Sequence, residues 1–436
     1  MEVFPFESAI GHHLLVVDGS RIYDIDETTF AAAQSKPDAT LVSLGLAPGE
    51  PRHGPYISPE PPDLPSLNAL SLNVAQSCNL ACGYCYADQG RFGARARTMD
   101  WVTARKAVDL LLDQAQTSGR AVLGFMGGEP LLNRPLVRKV TQWAADAAVK
   151  RGVRLSFSLT TNATLVSEED AAFFAEHHFT VAVSLDGPAV VNERQRPDHT
   201  GRDSTARALA GIERLLARDG AHVSIRATVT PYTGRLLPVL EYLLSLGSAE
   251  VGFAPVLVSP DPSLRFESSD FDVLLDYMIE CGEAAKAALT QRRNYPFSNF
   301  ETGLHEIARG SHRPYSCSAA AGYASVSADG SLVGCHRSVG DPAFAIGDIH
   351  GGPDDGRRRA FLRERHVLTQ EPCRTCWARF LCGGGCHHEV LARGRLGCDF
   401  IRGWLRFLLA SYAEISERHP DYFADPSRFF EHHVGE

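Results

Sequence analysis

Long apolar runs are missing from this 436-residue chain. No stretch approaches the ~18 uninterrupted apolar residues that a membrane-spanning helix needs, so a membrane protein is not expected. A basic surplus is missing too: 43 Lys and Arg stand against 52 Asp and Glu, a net charge of −9. Without a basic field to attract phosphates, neither nucleic acid nor an anionic membrane is an expected partner. The N-terminal MEVFPFESAIGHHLLVVDG lacks a positive region followed by an apolar run and a small-residue cleavage site. It does not read as a secretory signal, and the expected location is the cytoplasm. Cysteine is absent from residues 1–77 and, apart from Cys281, from 86–316.

What is present is ordinary in bulk and unusual in placement. Hydrophobic residues at 44% and charged residues at 22% suit a soluble globular protein and exclude disorder. The length exceeds what one core supports, so two or three domains are expected. Eleven cysteines are many for a cytoplasmic chain, where disulfides do not persist. Three lie between 78 and 85 and seven between 317 and 398. Short spacings of this kind let several thiolates converge on a metal centre.

Residues 1–68 read as a small separate unit. HHLLVVDGSRIYDIDETTFAAAQ suggests strand, Asp-Gly turn, strand and a helix starting near Asp26 or Glu27. PGEPRHGPYISPEPPDLP reads as a linker. From 69 to 310 β-rich runs alternate with helical ones. Strands are expected at 70–76, 121–126, 153–160, 179–185, 222–229 and 250–256, with helices such as WVTARKAVDLLLDQAQ, LVRKVTQWAADAAVK and TARALAGIERLLAR between them. Six strand–helix units predict an α/β fold with a parallel sheet, a partial (β/α)6 TIM-like barrel with one open side. Chemistry in such folds sits at the C-terminal ends of the strands. From 311 to 436 Cys, Gly and His become frequent. This region reads as an irregular iron–sulfur domain closed by the helix IRGWLRFLLASYAEI, 401–415.

Cys78, Cys82 and Cys85 stand in CNLACGYCY, a C-x3-C-x2-C spacing just after the first barrel strand. Three thiolates on one loop can hold three corners of a cubane cluster and leave one iron open. Structural zinc, the alternative, normally takes four ligands in two pairs. The segment resembles the signature of the radical S-adenosylmethionine (radical SAM) enzymes, C-x3-C-x-aromatic-C, with Tyr84 at the aromatic position. Further matches follow at strand ends: MGGEP (126–130), TTN (160–162) and SLDGP (184–188), with Arg196 in the next loop. The resemblance covers roughly residues 70–260.

The resemblance implies that the open iron chelates the amino and carboxylate groups of SAM. Gly127 and Gly128 would let backbone approach the ligand, Glu129 would orient the amino group, and Pro130 would fix the turn. Asn162, Ser184 and Asp186 would lie near ribose or methionine, Arg196 would pair with the carboxylate, and Tyr84 would lie by the adenine. Reduction of SAM by the cluster would give a 5′-deoxyadenosyl radical that removes hydrogen from a substrate, the protein supplying position and dryness.

Cys317 and Cys335 frame C-x12-G-x4-C with Gly330. Cys373, Cys376, Cys382 and Cys386 follow as C-x2-C-x5-C-x3-C, and Cys398 comes after eleven intervening residues. These seven resemble the SPASM extension, which implies two auxiliary clusters and three [4Fe–4S] clusters in all. By resemblance Cys373, Cys376, Cys382 and Cys398 hold the outer auxiliary cluster, and Cys317, Cys335 and Cys386 the inner one. ARGSHRPYS before Cys317 offers no fourth Cys; His312 could substitute, or the site could be open to substrate or water. Cys281 reads as a small core residue. His387 and His388 read as packing or hydrogen-bonding residues. His336 stands where sulfatase-maturing relatives carry an Asp base, and is the one weak catalytic candidate.

SPASM enzymes mostly modify peptides or proteins. CYADQGRFG followed by RTMD resembles maturases that cross-link ribosomally made peptides (RiPP maturases), through thioether or carbon–carbon bonds. The N-terminal LLVVDGSRIYDIDE resembles their leader-binding region, where an exposed strand edge could take a leader peptide; the other reading is a structural cap. The expected partners are a precursor peptide with leader and core, and a one-electron donor such as flavodoxin or ferredoxin. Two alternatives stand beside this: a protein maturase of the sulfatase (formylglycine) or amine-dehydrogenase type, and a non-catalytic iron–sulfur electron carrier. The carrier explains the cysteines but not GGEP, TTN and SLDGP.

Overall fold

The computed structural model describes residues 2–19, 21–35, 37–44, 63–200, 203–310 and 312–423. They fall into two compact units: Met1–Pro62 with Ser268–Cys317 and Leu362–Glu431, and Asp63–Glu267 with Ser318–Phe361. Most of the linker read at 48–65 lies outside the described residues.

In the first unit β1 (Val3–Ser8), β2 (Gly11–Val16) and β3 (Arg21–Ile25) form an antiparallel meander. The Asp-Gly turn is a 3-10 turn, Val17–Gly19, and the helix Glu27–Ser35 begins where the sequence suggests. Strand β1 is not legible beforehand, because Pro5 argues against a strand interior; it pairs only with β2, as an edge strand tolerates. A string centred on the buried His13 fixes the hairpin: Ser8 Oγ to His13 Nε2 at 2.7 Å and His13 Nδ1 to the exposed Asp24 Oδ1 at 2.8 Å. The distances are those of a hydrolase triad. However, the Ala9 amide at the tip donates to Glu414 Oε1 (3.1 Å) and that of Ile10 to Ser8 Oγ (3.2 Å), so neither is left to stabilise an oxyanion. The string is a register lock. Helices Phe271–Thr290, Ser298–Arg309 and Cys398–Arg418 complete this core. They pack closely enough that a Cβ on Gly282 would stand 2.3 Å from Phe407 Cε1.

The second unit holds the parallel sheet. It comprises β4 (Ala69–Gln76), the short antiparallel β5 (Arg97–Thr98), β6 (Arg120–Gly127), β7 (Arg154–Thr161), β8 (Thr180–Ser184), β9 (His222–Val229) and β10 (Glu250–Pro255). The spatial order β10-β9-β8-β7-β6-β4, all parallel, is the six-unit partial barrel that the alternation predicts. The sheet also continues beyond the expected edge. β11 (Tyr323–Val326) pairs parallel to β4, and β12 (Ser331–Val333), β13 (Ala345–Asp348) and β14 (Gly352–Pro353) extend it antiparallel.

Local chemistry sets the crossovers. Asp100 caps the helix Trp101–Gln114 through the Thr103 amide, and Ser167 with Asp170 forms a capping box on Glu168–Glu176. One face of the strands is apolar: Phe125, Phe157 and Phe179 stack, and Phe173 and Phe174 of the Glu168–Glu176 helix pack on Phe179. The opposite face carries small polar residues. Ser71, Gly124 and Ser158 are register neighbours, and a Cβ on Gly124 would meet Ser158 Oγ at 3.0 Å. Apolar residues point to the helices and polar ones line a surface at which a polar ligand can lie.

Candidate active site

The chain leaves β4 through Ser77 into the loop bearing Cys78, Cys82 and Cys85, at the C-terminal edge of the sheet. Two staples hold this loop. One runs to the end of β6: the Gly128 amide donates to Ala75 O (2.8 Å) and that of Glu129 to Ser77 O (2.9 Å). A Cβ on Gly128 would lie 2.3 Å from Ser77 O, and one on Gly127, with φ +143°, 2.3 Å from Ala75 O. The glycines are thus demanded by backbone against backbone next to Cys78, where the sequence reading invoked ligand approach alone. The other staple runs to the loop after β8: the Ala81 amide donates to Pro197 O (2.7 Å) and the Gly83 amide to Gln195 O (3.2 Å).

Glu129 is fully buried. Its Oε1 accepts from the Leu131 amide (3.0 Å) and Thr161 Oγ1 (2.9 Å), its Oε2 from the Asn162 amide (2.8 Å). Burial pushes its carboxyl up to about 7 against these hydrogen bonds. It therefore ties GGEP to TTN, and Pro130 opens the 3-10 turn that it caps. Asn162 Nδ2 reaches Asn79 Oδ1 at 3.0 Å and Cys78 Sγ at 3.7 Å, so TTN meets the cysteine loop.

Asp186 is also fully buried: Tyr84 OH (2.7 Å), Gln195 Nε2 (3.2 Å) and the Thr228 amide (2.9 Å) donate to it, and Arg196 Nε forms an ion pair with it at 2.9 Å. Arg196 stands 5.5 Å from the Tyr84 ring centre. Tyr84, Asp186 and Arg196 thus form one clasp joining the Cys82–Cys85 turn to β8 and β9. Ser184, half-buried, ends β8 opposite Arg226 of β9. Arg226 and Glu250, paired at 2.9 Å, were not singled out from sequence. The only signal was one cation alternating with buried Ile225 and Ala227 in HVSIRATV.

Burial raises the Cys78 thiol to about 11 and that of Cys82 to about 12. Three thiols spread over one loop are the donor set that a cluster would use, one thiolate to each of three irons.

Cys373, Cys376, Cys382 and Cys398 lie within electrostatic reach of one another in the first unit. Burial raises the Cys382 thiol, and the Gly384 and Gly385 amides beside it work against that rise. Gly383, Gly384 and Gly385 all have positive φ, a left-handed run that aims amides at an anion. Arg402 hydrogen-bonds Cys376, and Arg395 counters the burial that raises Cys373 to about 11. Cys317, exposed, and Cys386 belong to this unit, as does half-buried His312, while Cys335 belongs to the sheet unit. Cys281 is buried in the helix Phe271–Thr290. His387 is neutral, held down to about 4 by burial with Arg365 and Arg395 beside it, and pairs with Arg365 Nε at 3.1 Å. His336 Nδ1 lies 3.1 Å from Tyr323 OH, itself 2.6 Å from Ser71 Oγ.

Residues 72–235 match the Radical SAM superfamily. An uncharacterized protein of Methanocaldococcus jannaschii is 33% identical over 191 residues, 43% of this chain; the chain spans 62% of that relative, less than two thirds of its length. A serine-type anaerobic sulfatase-maturating enzyme of Klebsiella aerogenes is 26% identical over 359 residues, 78% of this chain and 84% of that one. Among solved structures, AdoMet-bound anSMEcpe superposes with a TM-score of 0.72 at 20% identity, covering 85% of this chain and 100% of its own. Streptococcus suis SuiB, bound to its precursor peptide SuiA, gives 0.52 at 15%, covering 91% and 96%. Among the described residues no helix is long and apolar enough to cross a membrane. Over residues 72–235 the chain carries a radical SAM domain, and it is similar to enzymes of radical SAM chemistry.

Proposed function

We propose that the chain is a peptide or protein maturase with three [4Fe–4S] clusters, and that it installs an intramolecular thioether or carbon–carbon cross-link in a ribosomally made peptide. Cys78, Cys82 and Cys85 would hold the SAM-binding cluster; Cys373, Cys376, Cys382 and Cys398 an outer auxiliary cluster; and Cys317, Cys335 and Cys386 an inner one. Together cluster and SAM supply a carbon radical that removes a hydrogen atom. The chain's own residues place and shield that event. Glu129 holds the loop end, the Tyr84–Asp186–Arg196 clasp fixes the cysteine turn, and the polar face from Ser71 to Ser158 receives the ligand. The observation that carries the reading is the cysteine loop stapled at once to GGEP, TTN and SLDGP at successive strand ends. An electron carrier has no need of that arrangement.

Peptide as substrate class is supported by relatives: SuiB is seen with precursor peptide SuiA and anSMEcpe with Cp18Cys peptide. The second reading, a sulfatase-type maturase, is favoured by the Klebsiella enzyme and the higher TM-score of anSMEcpe. Against it stands His336 where the resemblance expects Asp. Anaerobic incubation of the reconstituted enzyme with SAM, dithionite and the peptide encoded beside its gene decides. A cross-link gives a loss of two hydrogens, no reaction with a hydrazide, and suppressed fragmentation inside the ring. Formylglycine from Ser also loses two hydrogens but reacts with the hydrazide, and that result overturns the cross-link. Cys82→Ala should abolish SAM cleavage, whereas Cys376→Ala should spare part of it and damage peptide turnover.

A further inference from the structure

The N-terminal sheet does not stand apart from the cysteine-rich region. Trp377 follows Cys376 directly, and its ring stacks on Phe4 of β1 with 3.8 Å between centres and 4° between planes. Cys373 itself lies in a buried apolar cluster with Val17, Val367 and Phe380, against which Phe4 and Trp377 pack. Arg379, three residues before Cys382, is 4% exposed and spans back to the sheet: Nη2 bonds Asp18 Oδ1 at 2.7 Å, and Nη1 bonds both Glu2 and the Cys376 carbonyl. Arg406 of the Cys398–Arg418 helix lies over the Phe4 ring at 5.3 Å.

Two ordinary explanations fall short. A tethered leader-binding module needs no buried charge reaching into the loop between two ligand cysteines. A generic surface cap needs no ring stacked beside Cys376 and no ligand cysteine inside its own core. A buried arginine is costly unless its partners, here the partly exposed Asp18 and Glu2, stay in place, so it holds the sheet in one position on this loop. Exclusion of water around a cluster changes its potential and its access to oxidants.

We infer that the β1–β3 sheet is one wall of the outer four-cysteine site, with Phe4 and Asp18 as positioning residues that hold Trp377 and Arg379 against it and keep water and oxygen out. The sheet face bearing Phe4, with the adjoining Val17 of the turn, is then committed to the site and cannot receive a leader peptide. This inference rests on the proposed outer cluster.

The test uses the full chain with Cys78, Cys82 and Cys85 changed to Ala, so that only auxiliary iron remains after anaerobic reconstitution. Iron and sulfide content and the decay of visible absorbance in aerated buffer are measured. Phe4→Ala should bleach several-fold faster than its parent, Asp18→Asn less so, and Phe4→Trp should restore the parental rate. Tyr23→Ala, on β3 and 41% exposed, should bleach at the parental rate. Adding Cys376→Ala should abolish the effect of Phe4→Ala, because both act on one cluster. Should Phe4→Ala fail to fold by circular dichroism, Asp18→Asn, which keeps size and shape, carries the test. Parental iron with parental bleaching in both variants overturns the wall. A parent that holds no auxiliary iron overturns the cluster reading instead, and the wall with it.

Discussion

Asp186→Asn separates a ligand contact from a scaffold. The resemblance puts Asp186 near ribose or methionine, but in the folded chain its carboxylate accepts from Tyr84, Gln195 and the Thr228 amide and pairs as an ion with Arg196, with nothing exposed. Asparagine keeps the shape, turns one acceptor into a donor, and leaves Arg196, 8% exposed, without its counter-charge. Breaking a buried pair by removing one partner typically costs about 3–5 kcal/mol. For a domain of 150–250 residues, a kcal/mol moves Tm by about 2–4 °C, so a fall of about 6–20 °C is expected. The assay is anaerobic thermal unfolding of the ligand-free chain beside calorimetric SAM titration of the reconstituted one. The scaffold reading expects the Tm to drop without SAM. An unchanged Tm with SAM affinity lost would refute it and make Asp186 a direct contact.

Three further outcomes follow from the same geometry. Gly128→Ala must push the Ser77 carbonyl aside, so it should cost about 1–3 kcal/mol and lower iron retained by the Cys78–Cys85 loop, read by denaturant unfolding and iron analysis. Glu129 titrates near 7 when folded against an ordinary 4.5, so the folded ligand-free chain binds this proton the more tightly. Stability from this group is present below pH 4.5 and is lost as pH rises through 7, by about 3 kcal/mol in all; Glu129→Gln should flatten that window in urea melts at stepped pH. Arg395→Gln removes a cation beside Cys373 and Cys398, so the outer cluster's reduction potential should fall in an EPR-monitored titration while SAM cleavage persists; an unchanged potential sinks the tuning role.

The parts of this molecule legible in its sequence share one property: their signal is local. LSLNVAQ, AVLGFM and HVSIRATV are apolar on alternate positions and bounded by turn residues, so β4, β6 and β9 appear within a residue of where they were expected. The cysteine spacings are likewise short-range. What escaped is decided between distant segments. Strand β11 is four residues long and joins the sheet by pairing with β4, some 250 residues earlier. Strand β1 hides behind Pro5 and becomes a strand through β2 and the stack on Trp377.

The same distinction changes what the motif residues mean. GGEP and SLDGP read as ligand contacts when each is taken alone, because a motif presents its polar groups without their partners. Folded, Glu129 is satisfied by Leu131, Thr161 and Asn162, and Asp186 by three donors and the Arg196 cation, from three segments. A buried carboxylate is tolerable only when paired in this way. These residues are therefore fixed by the need to hold Cys78, Cys82 and Cys85 at one edge of the sheet. Whatever contact they make with SAM comes through donors and backbone that this scaffold has already set.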